Sequence, residues 1–282
     1  MPKLPLRPTA VWQVAREVRA AAEDLHPIIV AGAAEAVERI GAALVEGGEE
    51  RWVRRLAETM PAAYDLDGAG VLVLAVAGAE PSSDEDEALR LAERMKVPVV
   101  CILFGVSEEA IPDVPHVLAT DVVAVAPGHE VPIETVIDRI ASQLEDKAYA
   151  LAGRLPALRK PLCEHIVSSF SRQNGILGVA IFVPGADFPV LTLNQIRMVL
   201  RIAGAYGVEL NRESALEIIG VVIAGLSFRT IARQALAVLP FGGWALKGGV
   251  AYAGTRAIGE TAIQYFEAGG RDRLAGSVRS RS

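Results

Sequence analysis

Val71-Leu72-Val73-Leu74-Ala75-Val76-Ala77 is seven apolar residues in a row with no polar alternation. A strand with one wet face alternates apolar and polar side chains. An unbroken run of this length marks a strand covered on both faces, as in a parallel sheet flanked by helices. Upstream, Pro27-Ile28-Ile29-Val30-Ala31-Gly32 is a shorter run of the same kind, ending in glycine. Downstream, Ser82-Ser83-Asp84-Glu85 opens a helix to about Met95. Ser82 and Glu85 have capping-box spacing, and the acids sit at the positive helix end. Val99 to Phe104 and Val122 to Ala126 read as further strands. Thr9 to Leu25 has the period of an amphipathic helix, with Trp12, Val14, Ala15, Val18, Ala21 and Ala22 on its apolar side. Ala33 to Val45 and Glu49 to Met60 read as helices, and Pro132 to about Leu155 as one long helix. Strands alternating with helices predict βαβ units and a mostly parallel sheet over residues 1–150.

After Pro156 the strand signal stops. Helices are expected at about 158–172, 191–206, 212–238 and 243–267, with breaks at Pro184-Gly185, Pro189, Gly207 and Pro240-Phe241-Gly242-Gly243. The expected organisation is an α/β domain over 1–150, an all-α glycine-rich domain over 151–270, and a basic disordered tail over 271–282.

Charge separates the two halves. Residues 1–150 carry 26 acidic and 13 basic side chains, whereas residues 151–282 carry 8 and 15. With 51% hydrophobic residues in 282, the chain is too apolar for disorder. A basic, apolar half with few aromatics suits an anionic membrane surface better than nucleic acid. The two cysteines, Cys101 and Cys163, fall in an expected strand and an expected helix. They make no disulfide framework, which predicts a reducing cytoplasmic setting. The first eight residues, Met1 to Pro8, contain no apolar signal core, so no secretory signal is expected.

The glycine after the first apolar run invites a phosphate-loop reading. Such a loop needs a second glycine, a lysine and a Ser/Thr, so that amides cradle phosphate and lysine neutralises it. Gly32-Ala33-Ala34-Glu35-Ala36-Val37-Glu38-Arg39 has none of these, and Glu35 and Glu38 would repel phosphate. Where a GTPase carries its Asn-Lys-x-Asp guanine reader, this chain has Phe104-Gly105-Val106-Ser107. The acidic run Asp84-Glu85-Asp86-Glu87 is better read as helix capping than as a metal site. His26, His116, His129 and His165 have no ligand spacing with one another or with cysteine. No nucleophile elbow or Cys-x-x-Cys occurs. No catalytic residue, cofactor or metal is therefore expected.

The second half carries uncharged stretches: Asn174 to Ala186, Ile218 to Phe228 and Gln234 to Leu246. None reaches the roughly 18–20 apolar residues of a simple spanning helix. Arg229, Arg233 and Lys247 flank or interrupt them and can snorkel to headgroups. In the last helix Ala245, Gly249, Ala253 and Ala257 recur every fourth residue, a ridge that another helix could approach closely, and Gly248, Gly254 and Gly259 thin the neighbouring face. Two readings stay open at this point: membrane association, or a soluble helical bundle whose Leu, Ile and Val are core.

Three stretches carry a resemblance. They are Asp187-Phe-Pro-Val-Leu-Thr-Leu-Asn-Gln-Ile-Arg-Met198, Gly220-Val-Val-Ile-Ala-Gly-Leu-Ser-Phe-Arg229, and Pro240-Phe-Gly-Gly-Trp-Ala-Leu-Lys-Gly-Gly-Val-Ala-Tyr-Ala-Gly-Thr-Arg-Ala-Ile-Gly259. They resemble the YcjF-like family, domain of unknown function 697, over about residues 160–268. The matching positions include Asp187, Asn194, Gln195, Arg197, Gly243, Trp244, Lys247 and Arg256. The resemblance implies a membrane setting and a partnership or fusion with an Era-like small GTPase domain, and the α/β half looks like such a domain stripped of its motifs. It supplies no catalytic residue. The expectation is a non-catalytic protein on the cytoplasmic side of the cytoplasmic membrane, with lipid as partner and a homo-oligomer or a partner GTPase as further associations. The alternatives are an NTPase with an unrecognised nucleotide site and a soluble cytoplasmic scaffold that oligomerises through the Gly/Ala ridge.

Overall fold

The computed structural model describes residues 8–144, 148–180, 187–211, 214–220 and 244–270. The chain divides into two compact units, 25–162 and 1–24 with 163–282. The expected boundary at 150 is thereby moved, and the first helix leaves the α/β half. The charge contrast survives the correction. Unit 25–162 has 12 basic and 23 acidic residues, a net of −11, and the helical unit has 16 and 11, a net of +5.

The α/β unit holds a five-stranded parallel sheet in the order β2-β1-β3-β4-β5. The strands are β1 (Ile28–Gly32), β2 (Val53–Ala57), β3 (Val71–Val76), β4 (Val99–Phe104) and β5 (Val122–Val125). Interior strand β1 pairs Ile28 with Val53 on one side and with Val71 on the other. Every residue of β1 and β3 is buried, as continuous apolar runs require. Alternate residues feed two cores. Ile29, Leu72, Leu74, Cys101 and Leu103 face one side with Leu66, Leu89 and Ala92. The other residues of β1 and β3 face α2 (Ala34–Val45) and α5 (Ile133–Gln143), which pack on β1–β2 and on β3–β4. The first core is roofed by α3 (Ala63–Leu66) and α4 (Ser83–Met95). α4 opens with the expected capping box: the Glu85 amide donates to Ser82 Oγ, and the Ser82 amide and hydroxyl donate to Glu85 Oε2 at 2.7 Å.

Two expectations fail here. Glu49 to Met60 is a short 3-10 turn followed by edge strand β2, whose Arg54 and Arg55 broke the apolar pattern. Arg54 pairs with Asp65 and Arg55 with Glu38 and Glu50, so these charges are used at the sheet's edge. The long helix at 132–155 is two helices, α5 and α6 (Tyr149–Arg154).

In the helical unit α1 (Pro8–Ala21) packs on α8 (Asp187–Ala205) through buried Val11, Val14, Ala15 and Val18. α7 (Arg159–Ala180) and α9 (Trp244–Glu267) complete the described bundle, with a further helical stretch at 214–220. α7 and α9 run antiparallel, since Gly175 meets Gly248 and Val167 meets Gly259. α8 and α9 run in the same direction, since Gln195 meets Thr255 and Tyr206 stacks on Phe266. The last residues of α7 and the first residues of α8 and α9 therefore share one end of the bundle. The tail 271–282 lies outside the described residues.

Candidate functional site

The first place to look in a doubly wound sheet is the carboxyl edge where strand order reverses, here between β1 and β3. Gly32 ends β1 at φ 109°, and a side chain on it would run into the Ala75 carbonyl. The Ala33 amide donates to that same carbonyl at 2.9 Å, and the Glu58 amide donates to Gly32 O. The loop is thus folded down onto β3, with its first amide spent on the sheet rather than presented to a ligand. Glu35 occupies the first turn of α2, and α2 has no side-chain cap. Gly32 is required by sheet geometry, and the loop after it carries no lysine to neutralise a phosphate.

A second cleft lies at the opposite edge, by the amino ends of β4 and β5. There His116 Nδ1 stands 2.6 Å from Glu93 Oε2, and His116 holds φ +67°. Among the described residues no group of three or more His, Cys, Asp or Glu could hold a metal ion. Cys101 and Cys163 are both free and buried. Burial, with Glu85 nearby, pushes the Cys101 thiol up to about 12, so it is an inert core group.

The helical unit contains a polar network that spacing alone did not reveal. Asn174 on α7 is fully buried and donates to Thr255 Oγ1 on α9 at 2.9 Å. Asn194 on α8 donates to Asn174 Oδ1 at 3.0 Å, and Gln195 donates to Thr255 Oγ1 at 3.1 Å. Arg197 donates to Asn194 Oδ1 and grips Glu17 of α1 with two bonds of 3.0 and 3.1 Å. Three of the family-motif positions, Asn194, Gln195 and Arg197, thus converge on one layer that ties four helices together. Satisfied buried networks of this kind rigidify a bundle and fix its register. Ser171, also fully buried, has no hydrogen-bond partner for its hydroxyl among the described residues.

The other motif positions are placed elsewhere. Arg256 is exposed on α9, with Nε donating to Glu260 Oε1 at 2.7 Å and Nη1 donating to Tyr252 Oη at 3.4 Å. The Tyr252 bond and then the Glu260 pairing hold its guanidinium above the usual arginine range. Asp187 and Trp244 begin α8 and α9, Lys247 lies in the first turn of α9, and their side chains fall outside the described set, as does Gly243.

The Gly/Ala ridge is described in part. Gly249 and Ala253 are exposed, and a side chain at Gly249 would meet no described residue within 4 Å. Ala257 is half-buried, and Ala245 falls outside the described side chains. The helix-packing glycines are instead Gly248 and Gly259. A Cβ at Gly248 would come within 2.9 Å of Gly175 O, and one at Gly259 within 2.8 Å of Val167 Cγ1. The buried positions Gly248, Thr255, Gly259, Ala262, Ile263 and Phe266 repeat at helical spacing on the face opposite the expected ridge.

Above the polar layer, at the shared end of the bundle, the surface is apolar. Ile176 is 69% exposed, Val190 41% and Val179 40%. Arg172, Ile176 and Val179 on α7 face Gly248, Gly249 and Tyr252 on α9 across a shallow cleft of about 420 Å³. Among the described residues no helix is long and apolar enough to cross a membrane. Most of the uncharged stretches at 218–228 and 234–246 lie outside the described residues. No family model, curated protein or solved structure matches the chain.

Proposed function

We propose that this chain is a non-catalytic, membrane-associated protein, with an acidic α/β unit that is a degenerate GTPase-like domain and a helical unit that makes the membrane contact. The observation that carries the reading is the apolar end of the bundle. Exposed Ile176, Val179 and Val190 stand beside the uncharged sequence that joins α7 to α8. Exposed apolar groups gathered in one place mark an interaction surface, whereas scattered ones do not. The charge asymmetry supports it: the +5 unit is drawn to an anionic cytoplasmic leaflet and the −11 unit is repelled from it. The folded-down loop after β1 supports the non-catalytic part.

Vesicle sedimentation of the full chain tests the reading. The protein should pellet with liposomes, and Ile176→Asp with Val179→Asp should weaken pelleting by about tenfold or more, because each buried apolar side chain contributes about 1 kcal/mol or more. Both sites are exposed, so the fold should tolerate the change. Monodisperse protein without detergent and without vesicle affinity would overturn the membrane reading. GTP and ATP should bind no tighter than about 0.1 mM, or roughly 5–6 kcal/mol. Micromolar calorimetric binding would instead favour an NTPase. A second reading, a scaffold that oligomerises through the ridge, is favoured by the exposure of Gly249 and Ala253. Its mark would be a change in oligomeric state on Gly249→Leu without loss of the monomer fold.

A further inference from the structure

We infer that the cleft between α7 and α9 is a binding site for one anionic phospholipid, with the acyl chain along the apolar groove and the phosphate held by Arg172 and Arg256. The inference rests on the membrane reading and names the lipid class.

The groove has a backbone floor. Gly175 and Gly248 bring α7 and α9 so close that a Cβ at Gly248 would touch Gly175 O at 2.9 Å and Val179 Cγ2 at 2.6 Å. Ile176 and Val179 form one wall, and Gly249 leaves the other side open. A shallow apolar groove floored by backbone suits a flexible hydrocarbon chain better than a helix, whose diameter is about 10 Å.

The charges sit within one helical turn of each other in depth. Because α7 and α9 are antiparallel, Arg172, one turn before Ile176, lies at the level of Tyr252, and both line the cleft. Arg256 is one turn further along α9, with Nη1 on the Tyr252 hydroxyl. Arg172 to Val179 spans seven residues, about 10 Å of helix. That matches the 5–10 Å by which interfacial helices enter the boundary between headgroups and acyl chains. Tyr252, apolar in its ring and polar at its tip, stands where such side chains mark a membrane interface. The acids of α7 and α9, Glu164, Glu260 and Glu267, all lie farther from the apolar end than Arg172. Glu260 takes Arg256 Nε and leaves its Nη groups toward Tyr252. Asp187 begins α8 at the apolar end, where the helix N-terminus favours a negative charge. Two arginines at the headgroup level beneath an apolar groove complement a lipid phosphate in both charge and geometry.

The test is binding of the full chain to vesicles of phosphatidylcholine alone and of phosphatidylcholine with about 30% phosphatidylglycerol. The expected result is tighter binding to the anionic vesicles. Arg172→Gln with Arg256→Gln should lower that binding by roughly twenty-five-fold, about fivefold per arginine, and lower binding to phosphatidylcholine far less, because its choline offsets the phosphate charge. Arg90→Gln on the α/β unit serves as the control and should change neither. Equal binding to both vesicles would overturn the lipid-class inference and leave the membrane reading standing. Anionic preference that survives the double substitution would overturn the site. Loss of anionic binding in the presence of inorganic phosphate at the lipid's concentration would overturn the choice of lipid over free phosphate. No binding to either vesicle would overturn both readings. Circular dichroism of the double variant, expected to be unchanged, separates lost contact from lost fold.

Discussion

Gly248, Gly249 and Gly259 lie in one helix and differ only in what surrounds them, so alanine at each gives three different outcomes. A glycine inside a helix costs about 0.5–1 kcal/mol relative to alanine. At Gly249 no described residue stands within 4 Å of a new Cβ, so Gly249→Ala should keep the whole gain. For a chain of this size that is a rise of about 1–4 °C in Tm. At Gly259 the new methyl meets Val167 Cγ1 at 2.8 Å and Cβ at 3.1 Å. Overpacking costs about 1–3 kcal/mol, which exceeds the gain, so a net loss of about 1 kcal/mol is expected. At Gly248 the obstacle includes a backbone oxygen of Gly175, which no rotamer can move aside. The net loss there should be about 2 kcal/mol. Because the two units need not unfold together, hydrogen exchange of α9 amides should accompany thermal unfolding of the full chain. A Gly249→Ala variant that loses more than 1 kcal/mol, or a Gly248→Ala variant that loses nothing, would refute the packing described for α7 and α9.

Asn174→Ala should destabilise the helical unit by about 2–4 kcal/mol, since it removes two buried side-chain hydrogen bonds and strands Asn194, as urea titration would show. Ser171→Ala, one turn away, should lie within about 0.5 kcal/mol of the parent in the same titration, because its buried hydroxyl has no partner to lose. Gly32→Ala should cost the α/β unit about 2–4 kcal/mol through strain at positive φ and the clash with Ala75; near-neutral unfolding would refute it. The Cys101 thiol should resist alkylation at pH 8 until the protein is denatured. Its folded pKa of about 12 lies above the 9.0 of an ordinary exposed thiol. The burial therefore stabilises fully below pH 9 and is lost above it, at up to about 1.4 kcal/mol per pH unit; a Cys101→Ala variant should lack that alkaline slope.

Local chemistry made much of this chain legible in one dimension. The unbroken run at Val71 and the shorter one at Ile28 announced strands covered on both faces, because a strand that meets no water needs no polar residue. Ser82 and Glu85 announced the start of α4, because both halves of a capping box lie within four residues. Strand β2 was not legible: at a sheet edge only one face is strongly buried, and Arg54 and Arg55 find their partners on other elements.

The same limit governs the helical unit. Four-residue spacing named a ridge at Ala245, Gly249, Ala253 and Ala257, but spacing says only that residues share a face, not which face meets a neighbour. The choice of Gly248 and Gly259 is made by Gly175 and Val167, distant in sequence on α7. The assignment of α1 to the helical unit rests on Glu17 reaching Arg197 across 180 positions. The layer of Asn174, Asn194, Gln195 and Thr255 exists only once α7, α8 and α9 are side by side. Sequence alone determined the covered strands β1 and β3, the start of α4 and the charge of each half, because those depend on composition and on neighbours in the chain. Tertiary structure decided the buried network, the open apolar end and the cleft, because each is made by side chains that meet only after the helices have packed.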